Sequence, residues 1–182
     1  MLTTAAALRG ATKHYKTFAL GPVDLAVPAG SILGLIGENG AGKTTALKLL
    51  CGAIRPAGGS VELLGGSPAD PAIRARIGVV FEDAYFPDCF NAACVGKSMA
   101  GIFGKRWDTV KFDALVRRFE LDGSKKIKEY SRGMRMKLSF ATALAHDPEL
   151  LILDEATAGL DPVVRGELLD LLLDFIQDEQ HS

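Results

Sequence analysis

The run GENGAGKTT at residues 37–45 has the spacing of a phosphate-binding loop. Gly37, Gly42, Lys43 and Thr44 fit the pattern G-x-x-x-x-G-K-[ST], between an apolar stretch and a helical pattern. Glycines let consecutive backbone N–H groups curl around phosphate oxygens, and the following helix adds its positive end. In this pattern Lys43 reaches the β- and γ-phosphates and Thr44 offers its hydroxyl to Mg²⁺. A glycine-rich turn without a ligand is the alternative.

Two adjacent acids follow a second apolar run, LLILDE at residues 150–155. Carboxylates at the carboxyl end of a parallel strand lie where α/β sheets bind their ligands. We therefore expect Asp154 to hold a metal through water and Glu155 to polarise an attacking water. A solvated strand end is the alternative for both acids.

The stretch YSRGMRMKLSFATALAH, which begins at Tyr130, predicts a helix with an unusually basic first turn. Ser131 is in capping position, and Arg132, Arg135 and Lys137 follow it. Each such cation at the positive end of a helix costs about 0.3 to 1 kcal/mol unless an anion lies opposite. The pattern indicates an anion near this turn, and the alternative is a set of solvated surface charges.

The order of apolar runs and helical patterns predicts an α/β fold. Three of the runs are nearly continuous rather than alternating, which favours a parallel sheet covered on both faces. The segment from Phe86 to Glu129 has helical patterns without a strong strand, so we interpret it as a helical insertion. The predicted strands are residues 23–27, 31–37, 77–81 and 150–154, and the predicted helices are Lys43–Cys51, Thr109–Phe119, Ser131–His146 and Pro162–Gln177.

Composition sets limits on the possible partners. The 182 residues are 48% apolar and 24% charged with a net charge of −1, which suits one packed domain and gives no global attraction to nucleic acid. Three cysteines form no even disulfide set, which favours a reducing compartment. No run approaches about 18 apolar residues, so the chain is not expected to span a membrane by itself.

The order of the motifs GENGAGKTT, VVFED, YSRGM and LLILDEATAGLD resembles the ATP-binding subunit of ABC transporters, from about Tyr15 to the end of the chain. The resemblance is greatest to exporters of drugs, peptides or antibiotics. It implies a P-loop NTPase core with a mostly parallel sheet, an N-terminal antiparallel β subdomain and an inserted α-helical subdomain. Residues 1–85 and 131–182 would form the core, and residues 86–130 the helical subdomain.

The resemblance also assigns roles to single residues. Glu155 would be the general base, and Lys43 and Glu82 would share the catalytic site. Ser131 and Gly133 would contact ATP bound to the opposite subunit. Asp161 would communicate across that dimer, and Tyr15 would stack on adenine, although a strand-edge tyrosine is an alternative. ATP is expected to contact Tyr15, Gly37, Asn39, Gly40, Ala41, Gly42, Lys43, Thr44 and Thr45, and Mg²⁺ to contact Thr44, Glu82 and Asp154.

Three positions depart from the family pattern. Glu82 replaces the usual glutamine; a carboxylate can bind Mg²⁺ directly or through water but adds negative charge near the phosphates. In the family's signature motif, which corresponds to YSRGM at residues 130–134, Arg132 replaces the first glycine and Met134 replaces the usual glutamine. A solvated turn acid is the alternative for Glu82, and the effect of Arg132 has no predicted sign.

The family continues beyond the predicted helix 162–177 with another core strand and a switch histidine. The printed sequence stops at QHS, so we expect a fragment of a longer subunit, natural or engineered, with part of that helix uncovered. His181 precedes the place of that strand and receives no switch role. His14 and His146 are expected to be structural or surface residues.

The expected function is an ATP-hydrolysing motor subunit. It would pair with a copy of itself or a homologue and drive a separate membrane permease of exporter type from the cytoplasmic face of the membrane. No nucleic acid partner is expected. A soluble non-transport ATPase of the same family and a non-hydrolysing regulatory module are the alternatives; Glu155 argues against the second, because a binding module needs no base.

Overall fold

The computed structural model describes residues 4–82, 85–177 and 181–182. Five strands and six α-helices lie in these residues, together with short 3-10 turns at Gly104–Arg106 and Ile127–Glu129. In chain order the elements are β1 (Thr4–His14), β2 (Ala19–Pro28), α1 (Lys43–Leu50), β3 (Gly58–Leu63), α2 (Pro71–Arg74), β4 (Ile77–Phe81), α3 (Ala92–Phe103), α4 (Thr109–Arg118), α5 (Arg132–Leu144), β5 (Leu150–Asp154) and α6 (Pro162–Ile176).

The N-terminal strands form an antiparallel sheet in the order β2-β1-β3, which confirms the predicted antiparallel region. The side chains of Ala5, Ala6 and Leu8 are buried and pack in one core with Leu49 of α1 and Ile152 of β5. Sequence reasoning identified only part of β2 and neither β1 nor β3. The alanine-rich start of β1 lacks the β-branched and aromatic residues that predict a strand.

The strands β4 and β5 are parallel, as the continuous apolar runs predicted. Their register runs from Ile77 opposite Leu150 to Phe81 opposite Asp154. The two strands therefore end at the same level, and the residues that follow them leave the sheet side by side.

The prediction of a strand over residues 31–37 is wrong. This segment has no regular secondary structure and no ladder pairing, and Ile32 and Ile36 are 73% and 99% exposed. At the start of β5, the backbone bonds to Ser182 instead of to this segment. Leu151 N–H donates to the Ser182 carbonyl at 2.8 Å, and Ser182 N–H donates to the Glu149 carbonyl at 3.1 Å. A continuous apolar run predicts burial in a sheet, but it becomes a strand only where a neighbouring edge can pair with it.

The predicted helices are found with ends that differ by one or two residues. Helices α3 and α4 account for the helical patterns between Phe86 and Glu129, and the buried rings of Phe112 and Phe140 join them to α5 in a second core. The division into a core and a helical subdomain stays a prediction. None of the helices within the described ranges is long and apolar enough to cross a membrane.

Candidate functional site

The phosphate loop is a tight turn that directs its lysine back onto itself. Gly40 and Gly42 have φ values of 84° and 95°, which are strained for residues with a side chain. The Lys43 ammonium donates to the carbonyl oxygens of Gly37 at 2.7 Å and Glu38 at 3.1 Å. A phosphate would offer this ammonium a stronger, charged acceptor at the same loop.

The aromatic pair Tyr15 and Phe18 lies next to this loop. Their rings stack with centroids 6.4 Å apart, and the Lys13 ammonium lies 5.9 Å from the Tyr15 ring. Phe18 approaches Gly42 so closely that a Cβ there would lie 2.9 Å from Phe18 Cζ. Tyr15 is 47% exposed, so its ring is partly open to solvent. Phe18 was missed by sequence reasoning, since nothing in a single sequence pairs it with the loop.

The structure brings the phosphate-loop lysine and the two adjacent acids to one cavity. Lys43, Asp154 and Glu155 line a cavity of about 560 Å³ whose remaining walls are mostly leucine and isoleucine side chains. Asp154 is buried at the end of β5, whereas Glu155 is exposed in a left-handed conformation with φ 49°. Such a backbone in a residue with a side chain is uncommon and concentrates at functional sites.

The oxygen donors at this site suit a metal ion that is bound partly by the protein and partly by a phosphate ligand. The described residues contain no cluster of three or more His, Cys, Asp or Glu side chains that could hold a metal alone. Mg²⁺ is usually bound by one or two protein oxygens together with substrate phosphates and water. The Asp154 carboxylate and the Thr44 hydroxyl, at the start of α1, are oxygen donors of that kind.

The remaining phosphate-loop residues have different surroundings. Asn39, Gly40, Ala41 and Thr44 are exposed, and Thr45 is half-buried in the first turn of α1. The Ala41 N–H donates to the Glu38 carbonyl at 3.2 Å and closes the turn. These residues surround the start of α1, where backbone N–H groups are available to an anion.

The segment YSRGM at residues 130–134 leads into α5, which begins at Arg132. Ser131 caps the helix, because its hydroxyl accepts the Met134 N–H at 3.2 Å. Just before it, the buried Tyr130 hydroxyl donates to the Asp122 carbonyl at 2.9 Å, and burial raises the Tyr130 pKa. This anchor fixes the approach to α5 and was not identified from the sequence. Ser131 itself stays exposed.

Two of the three basic residues in α5 have carboxylate partners in the same chain. Arg132 donates to Glu82 at 2.7 Å, and the Lys137 ammonium lies 2.5 Å from a Glu167 oxygen. Across the described ranges, Arg135 has no carboxylate within ion-pair distance. It lines a second cavity of about 570 Å³ with Glu82 and Arg132. Arg132 in the first turn of α5 and Lys137 in the second are thus balanced from within the chain.

Asp161 caps α6 in this structure. Its carboxylate accepts the N–H groups of Val163 at 3.1 Å and Val164 at 3.0 Å. Any role of Asp161 across a dimer would therefore add to a local role in starting the helix.

Comparison with known proteins places these motifs in a family. A family model described as ABC transporter matches residues 20–158. The chain belongs to the ABC transporter family. The matched range contains the phosphate loop, Asp154 and Glu155.

Curated relatives extend the likeness over most of the chain. It is 37% identical over 181 residues to the daunorubicin resistance ATP-binding protein DrrA3 of Streptomyces coeruleorubidus, covering 93% of the chain and 56% of that relative. It is 40% identical over 172 residues to the Nod factor export ATP-binding protein I of Cupriavidus pinatubonensis, covering 90% and 53%. The chain thus spans about half the length of these family members.

A solved structure described as the ATP-binding subunit of an ABC transporter has the same fold. The TM-score is 0.80 at 26% sequence identity, with 99% of this chain and 75% of the other covered. The mixed α/β architecture with an antiparallel N-terminal sheet is therefore that of the family.

Proposed function

We propose that this chain is the ATP-binding and ATP-hydrolysing part of an ABC transporter subunit that works with Mg²⁺. The observation that carries the proposal is the meeting of Lys43 with Asp154 and Glu155 at one cavity. A cation that binds phosphate, a buried carboxylate and an exposed carboxylate are the groups that nucleotide hydrolysis needs together.

Each residue has a distinct task in this proposal. The N–H groups of the phosphate loop and the Lys43 ammonium bind the phosphates and offset their charge. Thr44 and Asp154 would hold Mg²⁺, which neutralises charge that develops on the phosphate oxygens. Glu155 accepts a proton from the attacking water; its exposed position lets water reach it. Tyr15 stacks on the adenine ring.

The proposal includes a dimer and a membrane partner. Ser131 and Gly133 would contact ATP held by a second subunit, of the same or a homologous chain, and Asp161 would act near that contact. A separate permease of exporter type would receive the work, with this subunit at the inner face of the membrane. The relatives support the transport part of this proposal, since two are named as export or resistance ATP-binding proteins and another as the bacitracin transport ATP-binding protein BcrA of Enterococcus faecalis.

Two substitutions test the nucleotide site. In the whole chain encoded by the gene, we expect Lys43→Ala to lower ATP affinity at least tenfold, because the cation that faces the phosphates is lost. We expect Glu155→Gln to keep ATP affinity, to lower turnover at least 100-fold and to accumulate an ATP-bound dimer. Equilibrium binding, phosphate release and sedimentation velocity measure the three quantities.

A matched control lies in the same helix. Lys48 of α1 points its ammonium to the Phe81 ring at 5.7 Å, so Lys48→Ala removes the same charge away from the loop and should keep ATP affinity. Undiminished phosphate release by Glu155→Gln would contradict the base, and equal ATP affinity in Lys43→Ala and the parent chain would contradict the binding site.

A further inference from the structure

Glu82 and Arg132, two of the residues that depart from the family pattern, form an ion pair with each other. Arg132 stands at the first position of α5, and its guanidinium Nη2 donates to Glu82 Oε1 at 2.7 Å. The two residues are 50 positions apart in sequence. A cation at the positive end of a helix and an acid near bound phosphates are each unfavourable alone, and this contact offsets both.

The position of Glu82 makes such an offset important. Phe81 is opposite Asp154 in the parallel register, so Glu82 and Glu155 leave their strands at the same level. Neighbouring strands lie about 4.8 Å apart, which brings the Glu82 backbone close to Asp154, the last residue of β5, and to Glu155, which follows it. Arg132 is the cation that the structure places on this additional carboxylate.

The guanidinium of Arg132 also lies against the turn that leads to α6. A Cβ on Gly159 would lie 3.0 Å from Arg132 Nη1 and 3.4 Å from its Cζ. Gly159 has φ 65° and stands between Glu155 and the helix-capping Asp161. One side chain thus contacts the residue after β4, begins α5 and covers the turn between β5 and α6.

We propose that Arg132 is a positioning residue that holds the Glu82 carboxylate and the Gly159 turn to the start of α5. Arg132 then keeps the start of α5, the Glu82 carboxylate and the Gly159 turn together when ATP binds. This inference rests on the proposed function for its consequence at the nucleotide, but its structural part does not need ATP.

A double-mutant cycle tests the consequence at the nucleotide. It uses the whole gene product with Glu155→Gln, which keeps ATP intact during titration, and adds Glu82→Gln, Arg132→Gln or both. Arg132→Gln leaves the Glu82 charge unbalanced near the phosphates, so Mg·ATP should bind about 1.4- to 5-fold more weakly, the range that corresponds to exposed ion pairs. The double variant should bind more tightly than the product of the two single effects by a similar factor.

Hydrogen exchange tests the structural part without nucleotide. In Arg132→Gln the amides of residues 156–161 should exchange faster, because the turn loses the guanidinium that covers it. Arg132→Lys keeps the charge but has no flat fork, so it should restore ATP affinity while leaving the turn less protected. Arg118→Gln is the control, since Arg118 makes an exposed pair with Asp174 at 2.9 Å on α6 and should alter neither quantity.

The outcomes separate the two hypotheses. Independent effects of Glu82→Gln and Arg132→Gln on ATP affinity, with unchanged exchange at residues 156–161, would overturn the positioning role. Absence of ATP binding in the parent chain would overturn the proposed function instead, and the exchange comparison would still decide the role of Arg132. If Arg132→Gln fails to fold by circular dichroism, Arg132→Lys replaces it in the exchange comparison, and loss of protection there supports the role while full protection overturns it.

Discussion

Gly42 and Gly133 both lie in motifs, but the chain itself needs only one of them. At Gly42 the backbone has φ 95° and a Cβ would lie 2.6 Å from Leu20 Cδ1, so a side chain there would strain the backbone and displace Leu20. At Gly133, the second residue of α5, a Cβ would lie 3.5 Å from Val164 Cγ2, which is ordinary contact. Internal packing therefore does not require the glycine at position 133, whereas the proposed contact with ATP at this turn would.

Opposite effects on stability and association follow for Gly133→Ala. Alanine favours a helix over glycine by up to about 1 kcal/mol, so the free energy of unfolding should rise by up to that amount. The added methyl should weaken ATP-driven dimerisation in a Glu155→Gln background, because the proposed ATP contact at this turn requires bare backbone. Urea denaturation and sedimentation velocity with ATP measure the two effects.

The control for that experiment is Gly42→Ala, which should destabilise the chain, since the methyl would collide with Leu20. Unchanged ATP-driven dimerisation of Gly133→Ala would contradict the assigned contact at Gly133.

At the scale of elements, His146 connects the helical segment to the sheet. It is buried just after α5, and its Nε2 donates to the Ile77 carbonyl of β4 at 2.9 Å. The Phe103 ring of α3 stacks on it with centroids 4.0 Å apart. The expectation of a structural histidine agrees with these contacts, although a lone histidine in sequence does not show what it joins.

Burial lowers the pKa of His146, and the nearby cations Arg106 and Lys111 lower it further. The unfolded chain takes up a proton near pH 6.5 while the folded chain resists it, so His146 stabilises fully above about pH 6.5 and progressively less below it. We expect the free energy of unfolding to fall between pH 7.5 and 5. His146→Gln keeps a donor for Ile77 but cannot titrate, so its urea-denaturation profile should fall less over this range.

The carboxylates of Asp147 and Glu149 contribute little to the change in the free energy of unfolding between pH 7.5 and 5. Ion pairing with Lys111 and Arg76 lowers the pKa values of Asp147 and Glu149, so their stabilising effect is present above their ordinary values and is lost in more acidic solution. Equal slopes for parent and His146→Gln proteins between pH 7.5 and 5 would contradict the assignment to His146.

At the scale of the whole molecule, the cavity of about 560 Å³ joins the nucleotide residues to exposed apolar surface. Leu169 and Leu173 of α6 are 47% and 56% exposed and line it together with the unpaired segment 31–35. Apolar surface of this kind favours association between chains.

We expect Leu169→Gln with Leu173→Gln to reduce concentration-dependent association of the nucleotide-free protein. Because both side chains are about half exposed, the free energy of unfolding should change by about 1 kcal/mol or less. Leu168→Gln on the same helix is the matched control; Leu168 is fully buried and should destabilise strongly, by about 3 kcal/mol or more. Sedimentation velocity over a range of protein concentrations measures association, and an unchanged profile for the double variant would contradict this role of the α6 surface.

The sequence alone was sufficient for features that depend on neighbouring residues. The glycine and lysine spacing at residues 37–44 identified the phosphate loop, and Ser131 was identified as a helix cap because a cap bonds to a backbone N–H three residues away. The parallel run at residues 150–154 was also predicted, since its composition reflects burial on both faces.

Tertiary structure alone decided which distant groups meet. The apolar run at residues 31–37 has the composition of a strand, yet pairing depends on a free edge elsewhere, and the backbone at the start of β5 bonds Ser182. The pairs of Arg132 with Glu82 and of Lys137 with Glu167 join residues 50 and 30 positions apart, so no local pattern could predict them. Local preferences determine helices, caps and turns, whereas ion pairs and sheet edges depend on how the whole chain packs.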